Sequence, residues 1–152
     1  MTLEIGANSS VSALRRTVFE TPAIDNHAHP LLKEAHRNAM PFEGLISEAS
    51  GDALSNDAMH TIACLRATKE LASLYGLSDN ASWEDVKQYR IKRPYLELCE
   101  MNFRASKISC LLLDDGLGGV AELAEDYGWH GWLTNRNVKR IARVETIAEV
   151  RL

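Results

Sequence analysis

The chain has 152 residues, of which 45% are hydrophobic and 25% are charged, and its formal net charge is −4. This is the composition of one globular domain, which excludes a disordered or fibrous chain. No block of basic residues occurs, so we expect neither nucleic acid nor an anionic membrane as a partner. The longest apolar run, residues 108–113, is far shorter than the ~20 residues that cross a bilayer.

The N-terminal sequence MTLEIGANSSVSALRR has no basic segment ahead of an apolar stretch, and this predicts a cytoplasmic protein. The three cysteines, Cys64, Cys99 and Cys110, lie far apart and form no CxxC pair. We therefore expect reduced, buried thiols that fill small apolar spaces.

The first predicted elements are a helix and a short strand. Ser9 and Ser10 are candidate caps for a helix with apolar residues at helical spacing, which ends at Thr21. Residues 23–28 alternate as in a strand until Pro30 breaks the pattern.

A helical region follows this strand. Residues 31–56 contain several breakers and predict a long loop with at most one helical turn. Residues 57–75 predict an amphipathic helix that ends at Gly76, with Ile62, Leu65, Leu71 and Leu74 on its apolar face. A capping box at residues 82–85 opens the next helix, and residues 94–103 predict another.

The C-terminal third alternates strands with short helices. Residues 107–113 predict a buried strand, residues 120–126 a short helix, and residues 129–132 an aromatic loop. Residues 139–144 predict a third strand and residues 145–152 a final helix. This order of elements indicates an α/β protein with a parallel sheet.

His27 and His29 form the sharpest local motif. Two histidines two positions apart on a strand point to the same face, so both imidazoles can reach one divalent ion. Two polar residues at a strand end are the simpler interpretation, and spacing alone does not decide between them.

Charged residues also follow the second and third predicted strands. Asp114 and Asp115 end the second, and Arg143 and Glu145 close the third, where parallel α/β proteins build their active sites. An acidic turn is the alternative for the two aspartates. A surface ion pair is the alternative for Arg143 and Glu145.

His130 is a candidate general acid, general base or hydrogen-bond donor to a substrate, because its neighbours Trp129 and Trp132 can shift its pKa. A packed loop histidine is the alternative.

Five sequence blocks carry a resemblance to a known family. In chain order they are IDNHAH (24–29), SEASGDAL (47–54), LLLDDGL (111–117), WH (129–130) and RVETIAE (143–149). Together they resemble the amidohydrolase-related domain at the N-terminus of fungal FluG-type and plant nodulin/glutamine-synthetase-like proteins. The resemblance covers nearly the whole chain from Leu14 onward.

The resemblance implies a metal-dependent (β/α)8 TIM barrel of the amidohydrolase superfamily. In such a barrel, His27 and His29 would hold a divalent metal, with zinc expected first and manganese second. A complete barrel needs ~250 residues. Residues 1–152 would therefore be the N-terminal portion of one barrel domain: about three β/α units, with a helical insertion after the first strand.

The resemblance also implies the chemistry, which is hydrolysis of an amide-type C–N bond in a small-molecule substrate. Asp114, Asp115, His130, Arg143 and Glu145 are the predicted catalytic residues. Related members decarboxylate aromatic acids instead, and a truncated, non-catalytic remnant is a further alternative. An incomplete barrel would expose a sheet edge, so we expect self-association through that edge.

Overall fold

The computed structural model describes residues 7–116 and 120–149. These residues divide into two compact units. Unit 1 comprises the described residues among Met1–Pro30, Ser106–Gly118 and Asp126–Leu152, and unit 2 those among Leu31–Ala105 and Gly119–Glu125.

Five helices and three strands are present in the described part of the chain. In chain order they are α1 (Ala7–Glu20), β1 (Ala23–Ala28), α2 (Ile62–Tyr75), α3 (Trp83–Lys92), α4 (Tyr95–Ser106), β2 (Ile108–Leu113), β3 (Val138–Arg140) and α5 (Val144–Glu149). Short helical turns lie at Glu34–His36, Phe42–Leu45, Ala53–Asp57, Ala58–His60 and Trp129–Trp132. No helix of residues 7–116 and 120–149 is long and apolar enough to cross a membrane.

Unit 1 is built on a parallel sheet of three strands in the order β1-β2-β3. Leu113, the last residue of the central strand, pairs with Ala28 of β1 on one side and with Arg140 of β3 on the other. The carboxyl ends of all three strands therefore meet at one edge. The mixed α/β class with a parallel sheet is confirmed.

The outer parts of unit 1 leave apolar side chains exposed. On α1, Val11, Leu14 and Val18 are all exposed, and on β1 the side chain of Ile24 is 64% exposed. The predicted first helix is confirmed, but Ser9 and Ser10 lie within it and do not cap it, because the helix already includes Ala7.

Unit 2 has a shared apolar core between its helices. The buried residues of this core are Cys64, Ala72, Tyr75, Trp83, Val86 and Leu98. Helix α3 begins at the predicted capping box, in which Ser82 and Asp85 bond each other's backbone N–H groups. Helix α2 ends at Gly76 as predicted, and the left-handed φ of 67° there favours glycine. Cys64, Cys99 and Cys110 are free and buried, as predicted.

Three predictions about the helical region were wrong. Helix α2 starts at Ile62, after Thr61 accepts a hydrogen bond from the backbone of Cys64, and not at residue 57. Ile62 and Leu65 of the predicted apolar face are exposed, because the buried positions of this helix are Cys64, Ala72 and Tyr75. The loop predicted over residues 31–56 contains more than one helical turn. Two turns lie within it, and a third, Ala53–Asp57, extends one residue past its end.

The prediction of a short helix at residues 120–126 was also wrong. These residues form a turn, after which Ala124 makes an antiparallel bridge with Leu32. Backbone hydrogen bonds on both sides of the bridge, from Lys33 to Leu123 and from Glu125 to Leu31, hold this segment extended.

The third strand is shorter than predicted and begins earlier, at Val138. Its partner β2 ends at Leu113, and the hydrogen bond from the Ile141 N–H to the Leu113 carbonyl (2.8 Å) is the last one along this pairing. Beyond it the chain turns into α5. Arg143 therefore lies in a loop, and Glu145 lies in the first turn of a helix and not on a strand. Residues 150–152 of the predicted last helix lie outside the described residues.

Candidate functional site

The sheet brings three residues that can bind a metal together at its carboxyl edge. His27 lies on β1, His29 follows it directly, and Asp114 follows β2 directly. The backbone N–H of Asp114 donates to the carbonyl of Ala28 (2.8 Å), which lies between the two histidines in sequence. Parallel pairing of β1 with β2 therefore fixes the aspartate next to the HxH motif.

The side chains of these residues converge. One ligand atom from each of His27, His29 and Asp114 lies within 4.8 Å of the others. The two imidazole ring centres are 5.0 Å apart, and Nε2 of His27 is 3.5 Å from Oδ2 of Asp114. We refer to these three residues as the His-His-Asp cluster. They are the one group of three potential metal ligands found within residues 7–116 and 120–149.

The orientation of His29 suits a metal ligand. Its Nδ1 lies 3.2 Å from the backbone carbonyl of Asp114, so the tautomer with a proton on Nδ1 donates a hydrogen bond there. That tautomer leaves a lone pair on Nε2. Ligating histidines commonly donate their second ring nitrogen to a carbonyl in this way, which fixes both tautomer and ring orientation.

Arg143 anchors the carboxylate of Asp114. Its Nε donates to Oδ1 (2.9 Å) and its Nη2 to Oδ2 (2.7 Å), while the N–H of Gly116 donates to Oδ1 (3.1 Å). The hydrogen bonds from the guanidinium hold the pKa of Asp114 well below its ordinary value, and Asp114 in turn raises the pKa of Arg143. The Asp114 side chain is only 5% exposed, so this is a nearly buried carboxylate that stays ionised.

Gly116 makes room for this contact. A Cβ at this position would lie 2.7 Å from Cδ and 2.9 Å from Nε of Arg143, closer than real Cβ atoms approach other atoms. The Arg143 side chain could not hold its present position beside a larger residue.

The other two predicted acidic residues pair with arginines. Asp115 accepts hydrogen bonds from Arg140, which also lies over the ring of Tyr127, and this ion pair raises the pKa of Arg140. Glu145 lies 3.8 Å from Nη1 of Arg143 and is exposed. Asp114 therefore belongs to the His-His-Asp cluster, Glu145 lies beside Arg143, and Asp115 forms a separate ion pair with Arg140.

His130 is buried in the turn Trp129–Trp132. Its Nδ1 is 2.9 Å from the carbonyl of Asp126, and its ring meets the ring of Trp129 nearly edge-on. It does not belong to the His-His-Asp cluster of the described residues. This geometry fits the packed-histidine alternative, and a catalytic role for His130 stays a prediction.

The His-His-Asp cluster fits a divalent cation by the chemistry of its donors. Two imidazoles and one carboxylate are a donor set found in catalytic zinc sites, which use three protein ligands. Sequence reasoning predicted Asp114 as catalytic but not as a third ligand. The signal was available: an aspartate that ends the strand neighbouring β1 reaches the same edge as the HxH motif.

This chain is similar to a protein of known name. Protein fluG of Emericella nidulans is 37% identical over 146 residues, which cover 92% of this chain and 16% of that protein. The chain is thus related to a FluG protein, but it spans only 16% of the length of this relative. No protein-family model matches the chain, and no solved structure matches it. The FluG part of the predicted resemblance is confirmed.

Proposed function

We propose that this chain supplies part of a metal-dependent hydrolase site of the amidohydrolase type, acting on amide-type C–N bonds of a small molecule. His27, His29 and Asp114 would hold the cation, with zinc as the first choice and manganese as the second. The observation that carries this proposal is the convergence of three ligand atoms within 4.8 Å at the carboxyl edge of a parallel sheet. Active sites of parallel α/β proteins form at this edge.

The same proposal includes the fold. The three parallel strands would be the first strands of a (β/α)8 barrel, with the helices of unit 2 inserted between β1 and β2. The exposed Ile24 on β1 supports this interpretation, because further barrel elements normally cover such a residue. A second copy of the chain could cover it instead, which is the basis for proposing self-association.

The roles of the residues follow from their positions. A bound divalent cation lowers the pKa of its water to ~7 and polarises a carbonyl group. Arg143 keeps Asp114 ionised and oriented, and the Asp114 carbonyl orients His29. His27 is largely exposed and leaves the open side of the site accessible to a substrate.

Zinc binding tests the ligand set. We expect about one zinc ion per purified chain, and we expect His27→Ala combined with His29→Ala to remove tight binding, since catalytic zinc sites need about three protein ligands. Elemental analysis and calorimetric titration measure both quantities. The matched control is His36→Ala combined with His60→Ala, which removes two histidines of unit 2 and should leave zinc binding intact.

Equal zinc stoichiometry in both double variants would refute the ligand set. Turnover of zinc-loaded or manganese-loaded chain on amides, compared with aromatic carboxylic acids, separates hydrolysis from decarboxylation. Metal binding without turnover on either class would favour the non-catalytic alternative.

A further inference from the structure

Arg143 and His27 face the same oxygen atom of Asp114. Oδ2 of Asp114 lies 2.7 Å from Nη2 of Arg143 and 3.5 Å from Nε2 of His27. Because the Asp114 side chain is nearly buried, its negative charge needs a positive partner. In the structure the guanidinium is that partner. A cation held by the His-His-Asp cluster would need the same oxygen.

The guanidinium of Arg143 is held in place by its surroundings, and one side of it is accessible to solvent. Its stem lies where a side chain at Gly116 would clash, and its Nε and Nη2 hold the Asp114 carboxylate with the two-pronged geometry that suits a planar anion. Nη1 lies 3.8 Å from Glu145, which is beyond hydrogen-bond length. The Arg143 side chain is 34% exposed, so a ligand can reach it.

We propose that Arg143 is a binding residue for a carboxylate-bearing ligand and that cation binding at the His-His-Asp cluster makes it available. This inference rests on the proposed function, since it requires His27, His29 and Asp114 to bind the cation. Arg143 thus has two roles. It neutralises Asp114 when no cation is bound, and it binds the carboxylate of a ligand when Oδ2 of Asp114 serves the cation.

Electrostatics give the direction of the coupling. A cation at Oδ2 and the guanidinium repel each other, and Arg143 then has unused N–H donors beside a second positive charge. A ligand carboxylate at Arg143 satisfies those donors and reduces the repulsion. Each ligand therefore strengthens the binding of the other by the same factor, as linkage requires. Glu145 is the internal competitor for the released guanidinium.

Calorimetric titration of the whole chain tests this coupling, with zinc as the cation, succinate as the anionic probe and succinamide as its neutral counterpart. We expect zinc to tighten succinate binding by at least about fivefold, the lower end of typical coupling between sites. Succinate should tighten zinc binding equally, and succinamide should show no coupling. Titration of zinc into succinate without protein corrects for complexes in solution.

Variants assign the effect to Arg143. Arg143→Gln should abolish the coupling while zinc still binds, because no guanidinium then competes for Asp114. Glu145→Gln, an exposed position that does not endanger folding, should tighten succinate binding to the zinc-loaded chain. If Arg143→Gln fails to fold, this second variant decides, and unchanged succinate affinity in it overturns the proposal.

The outcomes separate this inference from the proposed function. Zinc binding with no effect on succinate overturns the coupling and leaves the metal site standing. Coupling that persists in Arg143→Gln also overturns it, because the succinate then contacts the cation directly. A chain that binds no zinc overturns both proposals.

Discussion

The two units of the chain differ in where they bury apolar side chains. Unit 2 packs residues from three helices into one core that includes Cys64, Val86 and Leu98. In unit 1 the buried apolar residues lie mainly on the central strand β2, while α1 and β1 expose theirs. Burial of apolar area is the main stabilising term in folding. Unit 2 therefore has its own apolar stabilisation, and the apolar burial of unit 1 is confined mainly to its central strand.

A buried carboxylate in each unit shows the same contrast. Glu43 of unit 2 accepts hydrogen bonds from Trp83 and Lys87. Burial raises the pKa of Glu43, but these hydrogen bonds outweigh burial and leave the pKa below its ordinary value. Asp114 of unit 1 has Arg143 on one side and an imidazole on the other. A carboxylate that faces both a structural partner and metal-binding groups is the better candidate for function.

The largest expected effect concerns the core of unit 2. Leu98→Ala on α4 removes a side chain that is 7% exposed, and we expect it to lower the free energy of unfolding by ~2–5 kcal/mol. Leu65→Ala on α2 is the matched control, because that leucine is 63% exposed and should cost no more than ~0.5 kcal/mol. Urea denaturation followed by the fluorescence of Trp83, with Trp129 and Trp132 replaced by Phe, measures both. Similar losses for the two variants would show that the core is assigned wrongly.

A smaller effect concerns the Asp114–Arg143 ion pair of unit 1. The pKa of Asp114 is depressed in the folded chain, so its stabilising contribution is complete above the unfolded value of about 3.9 and is lost as the pH falls below it. We expect Asp114→Asn to be less stable near neutral pH and to lose less stability on acidification. Urea denaturation between about pH 3 and about pH 7, followed by Trp129 and Trp132 with Trp83 replaced by Phe, checks this sign.

If the free energy of unfolding of the unaltered chain and that of Asp114→Asn changed with pH in parallel, the ion pair would not be a source of stability. Asp115→Asn is the control for the loss of a neighbouring carboxylate, since Asp115 pairs with Arg140 and is not a member of the His-His-Asp cluster.

Local sequence patterns predicted several elements well. The bounds of β1 matched residues 23–28, because alternation and Pro30 both act over a few residues. The capping box of α3 and the end of α2 at Gly76 also matched for local reasons. These features depend on the backbone conformation of adjacent residues, which a single sequence can reveal.

Features that depend on distant partners were predicted poorly. The exposure of Leu65 depends on which face of α2 meets other helices, and the early end of β3 depends on where β2 stops. The sequence predicted His27 and Asp114 as site residues, but not the contact between them, which joins positions far apart in the chain. The bidentate contact of Arg143 with Asp114 was missed for the same reason.

We propose above that His27, His29 and Asp114 bind one divalent cation together. X-ray absorption at the zinc edge of the zinc-loaded chain tests it most directly, because it reports the ligand atoms and their distances. We expect two imidazole nitrogens and further oxygen ligands at ~2.0–2.2 Å, with one imidazole lost in His27→Ala. A sulfur ligand at ~2.3 Å from one of the cysteines, or an unchanged spectrum in His27→Ala, would contradict it.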